Sequence, residues 1–418
     1  MEVFEISGGR VIEGEVELSG AKNAALPVLF ASLLSKGKVV VRNVPTKLQD
    51  IQVAIKIMRF LGANVEVDGT VVMVDAHNLS KERAPAVLSS KIRYSLLLLS
   101  VLLTRFGRVE IPLPGGCDIG ARKFDLHIEG LNMLGADIEV TKKSIVGSLN
   151  GRFKGADIDF YIPTTSGTEN IIIAASLAQG KTRIRNANTK PEIQDFIAFM
   201  NSMGAQIKYS SRYVEIYGVK RLHRTDYSIM KGNDEAITYM IAAGMTGGEV
   251  KIKDFNLSTL KMETQYLKEA GMDIFEWGGS VYVSGKKGLK PFYIFTAPFP
   301  GVGSDLQPLF AALALVAKGE STITDQVFLE RFGYVSALQK FGAKIVNYGN
   351  SAVVHGGRRL RGAHVSATDL RGGTAMVLTA LVSEGKSIIE NIYQIDRGYE
   401  KLEKKLGALG AEIRRKKI

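Results

Sequence analysis

Two short phrases recur in step along this chain, and they restrict its fold more than any other feature. The first is a glycine that closes an amphipathic stretch and opens an alternating one. It occurs as FLGANVEV at Gly62, MLGADIEV at Gly135, SMGAQIKY at Gly204, EAGMDIFE at Gly271, KFGAKIVN at Gly342 and ALGAEIRR at Gly410, at spacings of 73, 69, 67, 71 and 68 residues. The second keeps the same step: KGKVVVRNV at Gly37, FGRVEIPLP at Gly107, QGKTRIRNA at Gly180, GGEVKIKDF at Gly248, KGESTITDQ at Gly319 and EGKSIIENI at Gly385. Two phrases in phase over 418 residues indicate one structural unit of about 70 residues used six times.

Each unit has the same internal pattern. A helix comes first that is apolar nearly all round, as in AALPVLFASLLS or ENIIIAASLA, which predicts burial. The glycine of the second phrase ends it, as a left-handed C′ residue does. An alternating strand such as VVVRNV follows, then an amphipathic helix, for example Asp50 to Leu61, then one or two more strands. Helices and strands alternating at this spacing predict α/β sheets covered by helices. The units are too long for a TIM barrel, whose units run to about 30 residues, and too mixed for a solenoid. Six of them predict two domains of three units each.

Composition narrows the function classes. A single cysteine excludes an internal disulfide framework and fits a reducing, cytoplasmic compartment. The N-terminus has no apolar core of a secretory signal. The longest apolar run, Ser95 to Thr104, is too short to span a bilayer. The net charge of +12 is spread along the chain apart from Arg414 to Lys417, with little aromatic interleaving, which disfavours nucleic acid and leaves small anions as the natural partners.

That lone cysteine sits in Pro114-Gly115-Gly116-Cys117-Asp118-Ile119-Gly120-Ala121-Arg122. The glycines keep it out of regular structure, and Arg122 follows five residues on. A thiol on a loop beside a cation suits acid or nucleophile work; a small buried filler in a turn is the plainer alternative. The starts of the apolar helices carry polar groups: Lys22-Asn23, Arg93, Thr168-Glu169-Asn170, Asn233-Asp234-Glu235, Ser304-Asp305 and Asp369-Leu370-Arg371. Asn23, Ser304 and Asp369 are natural N-caps. Lysine and arginine at a helix start oppose the macrodipole, so Lys22, Arg93 and Arg371 call for another reason. Helix starts gathered at one cleft make a seat for phosphate or carboxylate, which Arg331 (in FLERFGY) and Arg397 (in QIDRGYE) also reach from loops.

SGAKNAALP (Ser19 to Pro27), LPGGCDIGAR (Leu113 to Arg122), DLQPLF (Asp305 to Phe310), DLRGGTAMVL (Asp369 to Leu378) and NIYQIDRGYEKLEKKLGALGA (Asn391 to Ala411) closely resemble the UDP-N-acetylglucosamine enolpyruvyl transferases of bacterial cell-wall synthesis. The resemblance runs end to end. It implies a two-domain inside-out α/β barrel of six βαβαββ-like repeats, with 1–21 plus 230–418 as the catalytic domain. Residues 22–229 form the domain carrying the cysteine loop, and the active site lies in the cleft between the two.

The resemblance also implies the chemistry: transfer of the enolpyruvyl group of phosphoenolpyruvate to the 3′-hydroxyl of the sugar nucleotide, by addition then elimination, with no metal or cofactor and no obligate protein partner. Cys117 matches the family's proton donor, which also forms a covalent adduct with phosphoenolpyruvate and is the target of fosfomycin. Asp305 matches the carboxylate on the attacking hydroxyl. Lys22, Arg93, Arg122, Arg331, Arg371 and Arg397 match the cations around phosphate and carboxylate groups, with Lys22 and Arg397 placed in the catalytic set. The two substrates bring about five negative charges together, so several cations are required. Asn23 matches a residue that contacts substrates, Asp369 a polar residue of the cleft, and Val327 a backbone contact to the sugar nucleotide.

Departures from the family pattern gather around the nucleotide. The uracil segment is Arg122-Lys123-Phe124-Asp125-Leu126, where the family has arginine-proline-valine-aspartate. The diphosphate segment is Thr164-Thr165-Ser166-Gly167-Thr168, where it has serine-valine-glycine-alanine-threonine. The crossing between domains has Met230-Lys231-Gly232-Asn233-Asp234, and Phe328-Leu329-Glu330-Arg331 replaces phenylalanine-glutamate-asparagine-arginine. A related transferase with a different nucleotide acceptor is therefore the second reading.

Overall fold

Six helices lie buried over most of their length in the computed structural model, which describes residues 2–114 and 124–418. In chain order they are Lys22–Ser32, Leu98–Phe106, Thr165–Ser176, Asn233–Thr246, Gln307–Ala314 and Leu370–Val382, the first to sixth buried helices. Their sequences dictate the position, because a helix apolar on every side has no face to give to water. After the first come the strand Val39–Arg42, the outer helix Gln49–Phe60 and the hairpin Asn64–Asp68 with Val71–Asp75. The outer helix buries Ile51, Ala54, Ile57 and Met58 and turns Lys56 and Arg59 to solvent, the division expected of an amphipathic helix.

The glycines of the first phrase earn their conservation of position within the chain. Gly62, Gly135, Gly204, Gly271, Gly342 and Gly410 all have φ between 88° and 105°, which side chains rarely tolerate. At Gly62 a Cβ would also lie 2.6 Å from the Asn78 carbonyl oxygen. The second phrase is less uniform than expected. Gly37 and Gly248 are not left-handed; Gly247 takes that conformation instead, at φ 69°. Gly248 serves close approach, since a Cβ there would meet the Ile12 carbonyl oxygen at 1.9 Å.

The chain divides into two compact units, residues 2–19 with 231–418, and residues 20–114 with 124–230. In the first unit the fourth, fifth and sixth buried helices pack on one another. Three mixed sheets of four strands accompany them. Tyr293–Thr296 and Glu320–Asp325 run parallel on either side of the fifth helix in sequence, a βαβ crossover. The N-terminal residues complete two of these sheets. Glu2–Ser7 pairs with Lys386–Glu390 and Glu412–Lys417, and Glu13–Glu17 pairs in parallel with Glu249–Lys253.

In the second unit the second buried helix packs against the first and third. Two sheets have four strands and one has three, Arg108–Pro112, Ser144–Ser148 and Asp137–Val140. Where that sheet lacks a fourth strand, Arg83 makes a lone parallel bridge to Glu110. The α/β class and the helices-inside arrangement match expectation. Barrel closure does not: the described strands form six separate open sheets. No helix among the described residues is long and apolar enough to cross a membrane.

Candidate active site

The sixth buried helix of the first unit begins with a built N-terminus. Asp369 is its N-cap, and its Oδ1 accepts from the backbone N–H of Arg371 and Gly372, each at 3.0 Å. That cap fixes Arg371, whose side chain is 4% exposed. Arg371 Nη1 donates to the Tyr399 hydroxyl at 3.0 Å, and Nη2 pairs with Asp234 of the fourth helix and faces Asp305 Oδ2 at 3.9 Å. Burial works against this charge, but Asp234, Tyr399 and Asp305 outweigh it, so the guanidinium is held more firmly protonated than usual.

Asp305 lies between two guanidinium groups. Its Oδ1 accepts from Arg331 Nη1 at 2.6 Å, while Oδ2 faces Arg371. Arg331 is buried, and its Nη1 also reaches the Ser304 hydroxyl oxygen at 3.3 Å. Among the described residues Arg331 Nε and Arg371 Nε are buried with no acceptor. Beside these two buried guanidinium groups the Asp305 side chain is 44% exposed, so the carboxylate is the member of the cluster that a ligand can reach. Arg397 is buried just after the short Tyr393–Asp396 helix, with Nη1 3.3 Å from Gln394 Oε1. Val327 is exposed, and its backbone N–H is already given to Asp325 Oδ1 at 2.9 Å.

The second unit answers the question of lysine at a helix start. Lys22 opens the first buried helix and its Nζ sits 3.1 Å from Asp50 Oδ2, in the first turn of the outer helix. The acidic partner offsets the unfavourable dipole and keeps the ammonium in place. Asn23 lies inside the helix rather than at its cap, which is Ala21, and its carbonyl accepts from the Tyr94 hydroxyl at 3.3 Å. Ser304 likewise is no cap: it opens a 3-10 turn and its hydroxyl goes to Asp325. Arg93 is half-buried and opens the 3-10 turn Arg93–Leu97 that leads into the second helix.

The third helix departs from the expectation that its polar start faces a cleft. Thr168, Glu169 and Asn170 are fully buried, and burial pushes the Glu169 carboxyl well above the usual carboxylate range. Asn170 donates to His127 Nδ1 at 2.9 Å and takes the Ser100 hydroxyl. With Nδ1 accepting, His127 presents Nε2–H to Ser166 Oγ at 3.0 Å. Thr164 caps the helix by accepting from Gly167 N, and Thr165 accepts from Asn188 at 3.2 Å. Asp125 opens the outer helix Asp125–Met133 and accepts from the Tyr161 hydroxyl at 2.5 Å. Leu126 is buried, which leaves only its backbone for a ligand, and Phe124 packs partly against the core. Cys117, Arg122 and Lys123 lie outside the described residues.

Burial, with the Arg93 cation nearby, lowers the His127 pKa from 6.5 to about 3. Below pH 6.5 the unfolded chain takes up a proton that the fold refuses. The His127 share of stability is therefore complete above that pH and declines by about 1.4 kcal/mol per unit down to about pH 3. His127→Gln is expected to flatten the pH dependence of the urea midpoint in this range. An unchanged slope would contradict the assignment.

Residues that spacing alone did not mark complete both clusters: Asp50 and Tyr399 as partners of the cations, and His127 as holder of Ser166; Asp234 was marked as a polar helix start but not as the partner of Arg371. The only available signal was their position at the starts of helices or in the loop phrases.

The family model of EPSP synthase (3-phosphoshikimate 1-carboxyvinyltransferase) matches residues 6–406. A UDP-N-acetylglucosamine 1-carboxyvinyltransferase of Coxiella burnetii is 43% identical over 419 residues, covering 99% of this chain and 96% of that protein. One from Trichlorobacter lovleyi is 42% identical over 416 residues, covering 99% of each. The crystal structure of the enolpyruvyl transferase NikO from Streptomyces tendae superposes with a TM-score of 0.90 at 25% identity, over 99% of this chain and 98% of that one. An EPSP synthase from Acinetobacter baumannii shares the fold, with a TM-score of 0.78 at 16% identity over the whole of both chains. With these matches spanning its whole length, the chain belongs to the enolpyruvyl transferase family, on the branch of the UDP-N-acetylglucosamine 1-carboxyvinyltransferases.

Proposed function

We propose that this enzyme transfers the enolpyruvyl group of phosphoenolpyruvate to the 3′-hydroxyl of UDP-N-acetylglucosamine and releases phosphate, the committed step towards peptidoglycan. The observation that carries the reading is Asp305 held between Arg331 and Arg371, each with a buried Nε–H lacking an acceptor. The relatives' names supply the acceptor and the carboxyvinyl group that is transferred.

The chemistry divides between a carboxylate, a thiol and the cations. Cys117 protonates the methylene carbon of phosphoenolpyruvate, which makes the adjacent carbon electrophilic. The sugar hydroxyl bonds to that carbon and gives its proton to Asp305. The carbon–oxygen bond to phosphate then breaks, and the methyl group returns a proton to the thiolate as the double bond re-forms. Arg331, Arg371 and Arg397 hold the phosphate and carboxylate charges, and Lys22, Asn23 and Arg93 are further substrate contacts. Thr164, Thr165, Ser166, Arg122 to Leu126 and Val327 receive the nucleotide, and Asp369 holds the start of the sixth helix. The lone thiol suits work in a reducing cytoplasm.

A second reading keeps the reaction and changes the acceptor. Ser166 held by His127 and the Tyr161 hydroxyl on Asp125 support it, because both lie in the segments where this chain leaves the family pattern. Phosphate release from phosphoenolpyruvate separates the two. Turnover with UDP-N-acetylglucosamine and none with other uridine or cytidine nucleotides is expected. Turnover only with another nucleotide would move the enzyme to the second reading.

A further inference from the structure

Asp325 ends the strand Glu320–Asp325 and is completely buried, yet its carboxylate is surrounded by donors. Its Oδ1 accepts from the Thr296 hydroxyl at 2.8 Å and from the backbone N–H of Val327 and Phe328 at 2.9 Å each. Its Oδ2 accepts from the Ser304 hydroxyl at 2.5 Å. Its own N–H goes to the Asn350 carbonyl at 2.8 Å. A buried carboxylate is costly unless its lone pairs are filled, and here four donors fill them.

These donors come from the places that fix the candidate chemistry. Val327 and Phe328 begin the turn that leads to Arg331. Ser304 precedes Asp305. Having given its hydrogen to Asp325, the Ser304 hydroxyl offers a lone pair to Arg331 Nη1 at 3.3 Å, and the same Nη1 makes the 2.6 Å bond to Asp305. A continuous chain therefore runs from Asp325 through Ser304 and Arg331 to Asp305. We infer that Asp325 is a positioning residue for the reaction, setting Arg331 and Asp305 through the Ser304 hydroxyl and through the backbone of the 326–330 turn. This rests on the proposed roles of Asp305 and Arg331.

Asp325→Asn keeps the shape but sets an amide N–H₂ against donors. Ser304→Ala removes the link to Arg331 together with one of the four donors to Asp325. The test measures kcat, KM for each substrate and the urea midpoint for both variants and the double variant, with calorimetric Kd for phosphoenolpyruvate. Losing a charge-assisted hydrogen bond predicts a kcat reduced about 10- to 100-fold in Asp325→Asn and about 10-fold in Ser304→Ala. The double variant should be no worse than Asp325→Asn, since both act in one chain. Phosphoenolpyruvate should bind about fivefold more weakly. A lowered urea midpoint with kcat and Kd unchanged would overturn the inference and leave Asp325 a fold residue. If Asp325→Asn does not fold, Ser304→Ala decides alone. If the parent releases no phosphate with UDP-N-acetylglucosamine, the functional reading fails separately, and the Kd comparison still decides the role of Asp325.

Discussion

Asp305→Asn is expected to lower kcat by about two to four orders of magnitude while leaving KM for the sugar nucleotide nearly unchanged. The substitution keeps the size of the side chain and removes its capacity to take a proton. It also removes a negative charge that Arg331 contacts at 2.6 Å and Arg371 faces at 3.9 Å. Those guanidinium groups are 6% and 4% exposed at the side chain, so the lost countercharge is replaced only weakly by water. The freed cations should then hold an anion more firmly. The expected pattern is a low kcat together with equal or tighter binding of phosphoenolpyruvate, measured by calorimetry on the same preparation. A residue that merely binds substrate would behave oppositely, raising KM with kcat intact. That outcome would remove Asp305 from the role of base.

The parts of this molecule that local sequence could reveal were those set by backbone and burial. An all-apolar helix has one place to go, and six of them were recognisable before any contact was known. The left-handed glycines from Gly62 to Gly410 were recognisable for the same reason, since each closes a helix before a strand. The Asp369 cap was visible because aspartate stood just before the helix that begins Leu370-Arg371-Gly372. Asn23 and Ser304 looked similar and were not caps, because the chain enters those helices two residues earlier, at Ala21, or through a 3-10 turn. Pairing over long separations left no local trace. Asp50 is 28 residues from Lys22, and Asp234 is 137 residues from Arg371. The lone bridge at Arg83 in place of a fourth strand was equally hidden, because strand pairing is decided by partners rather than by the strand's own pattern. Cation positions were therefore legible, and so was Asp305, but the pairings that hold Lys22 and Arg371 were not.

Arg371→Lys tests that last point, and it is expected to cost about 100-fold in kcat/KM for phosphoenolpyruvate despite conserving the charge. The planar guanidinium serves Tyr399, Asp234 and Asp305 from its two Nη atoms and still has Nε–H to offer. Lysine places one ammonium where three nitrogens stood. Its nitrogen can satisfy Asp234 or the ligand in good geometry, not both. Losing one hydrogen bond to a charged group, at about 3 kcal/mol, accounts for the predicted factor. Arg371→Ala should be worse in a different way, since Asp234, with a side chain only 25% exposed, would be left without its cation. Breaking a pair buried to this degree costs up to about 3–5 kcal/mol of stability. The two variants separate the roles when kcat/KM and the urea midpoint are measured together. Arg371→Lys should retain most of the stability and lose the activity, and Arg371→Ala should lose both. Activity of Arg371→Lys within about fivefold of the parent would show that a point charge suffices there, and that the fork geometry of Arg371 serves the fold rather than the anion.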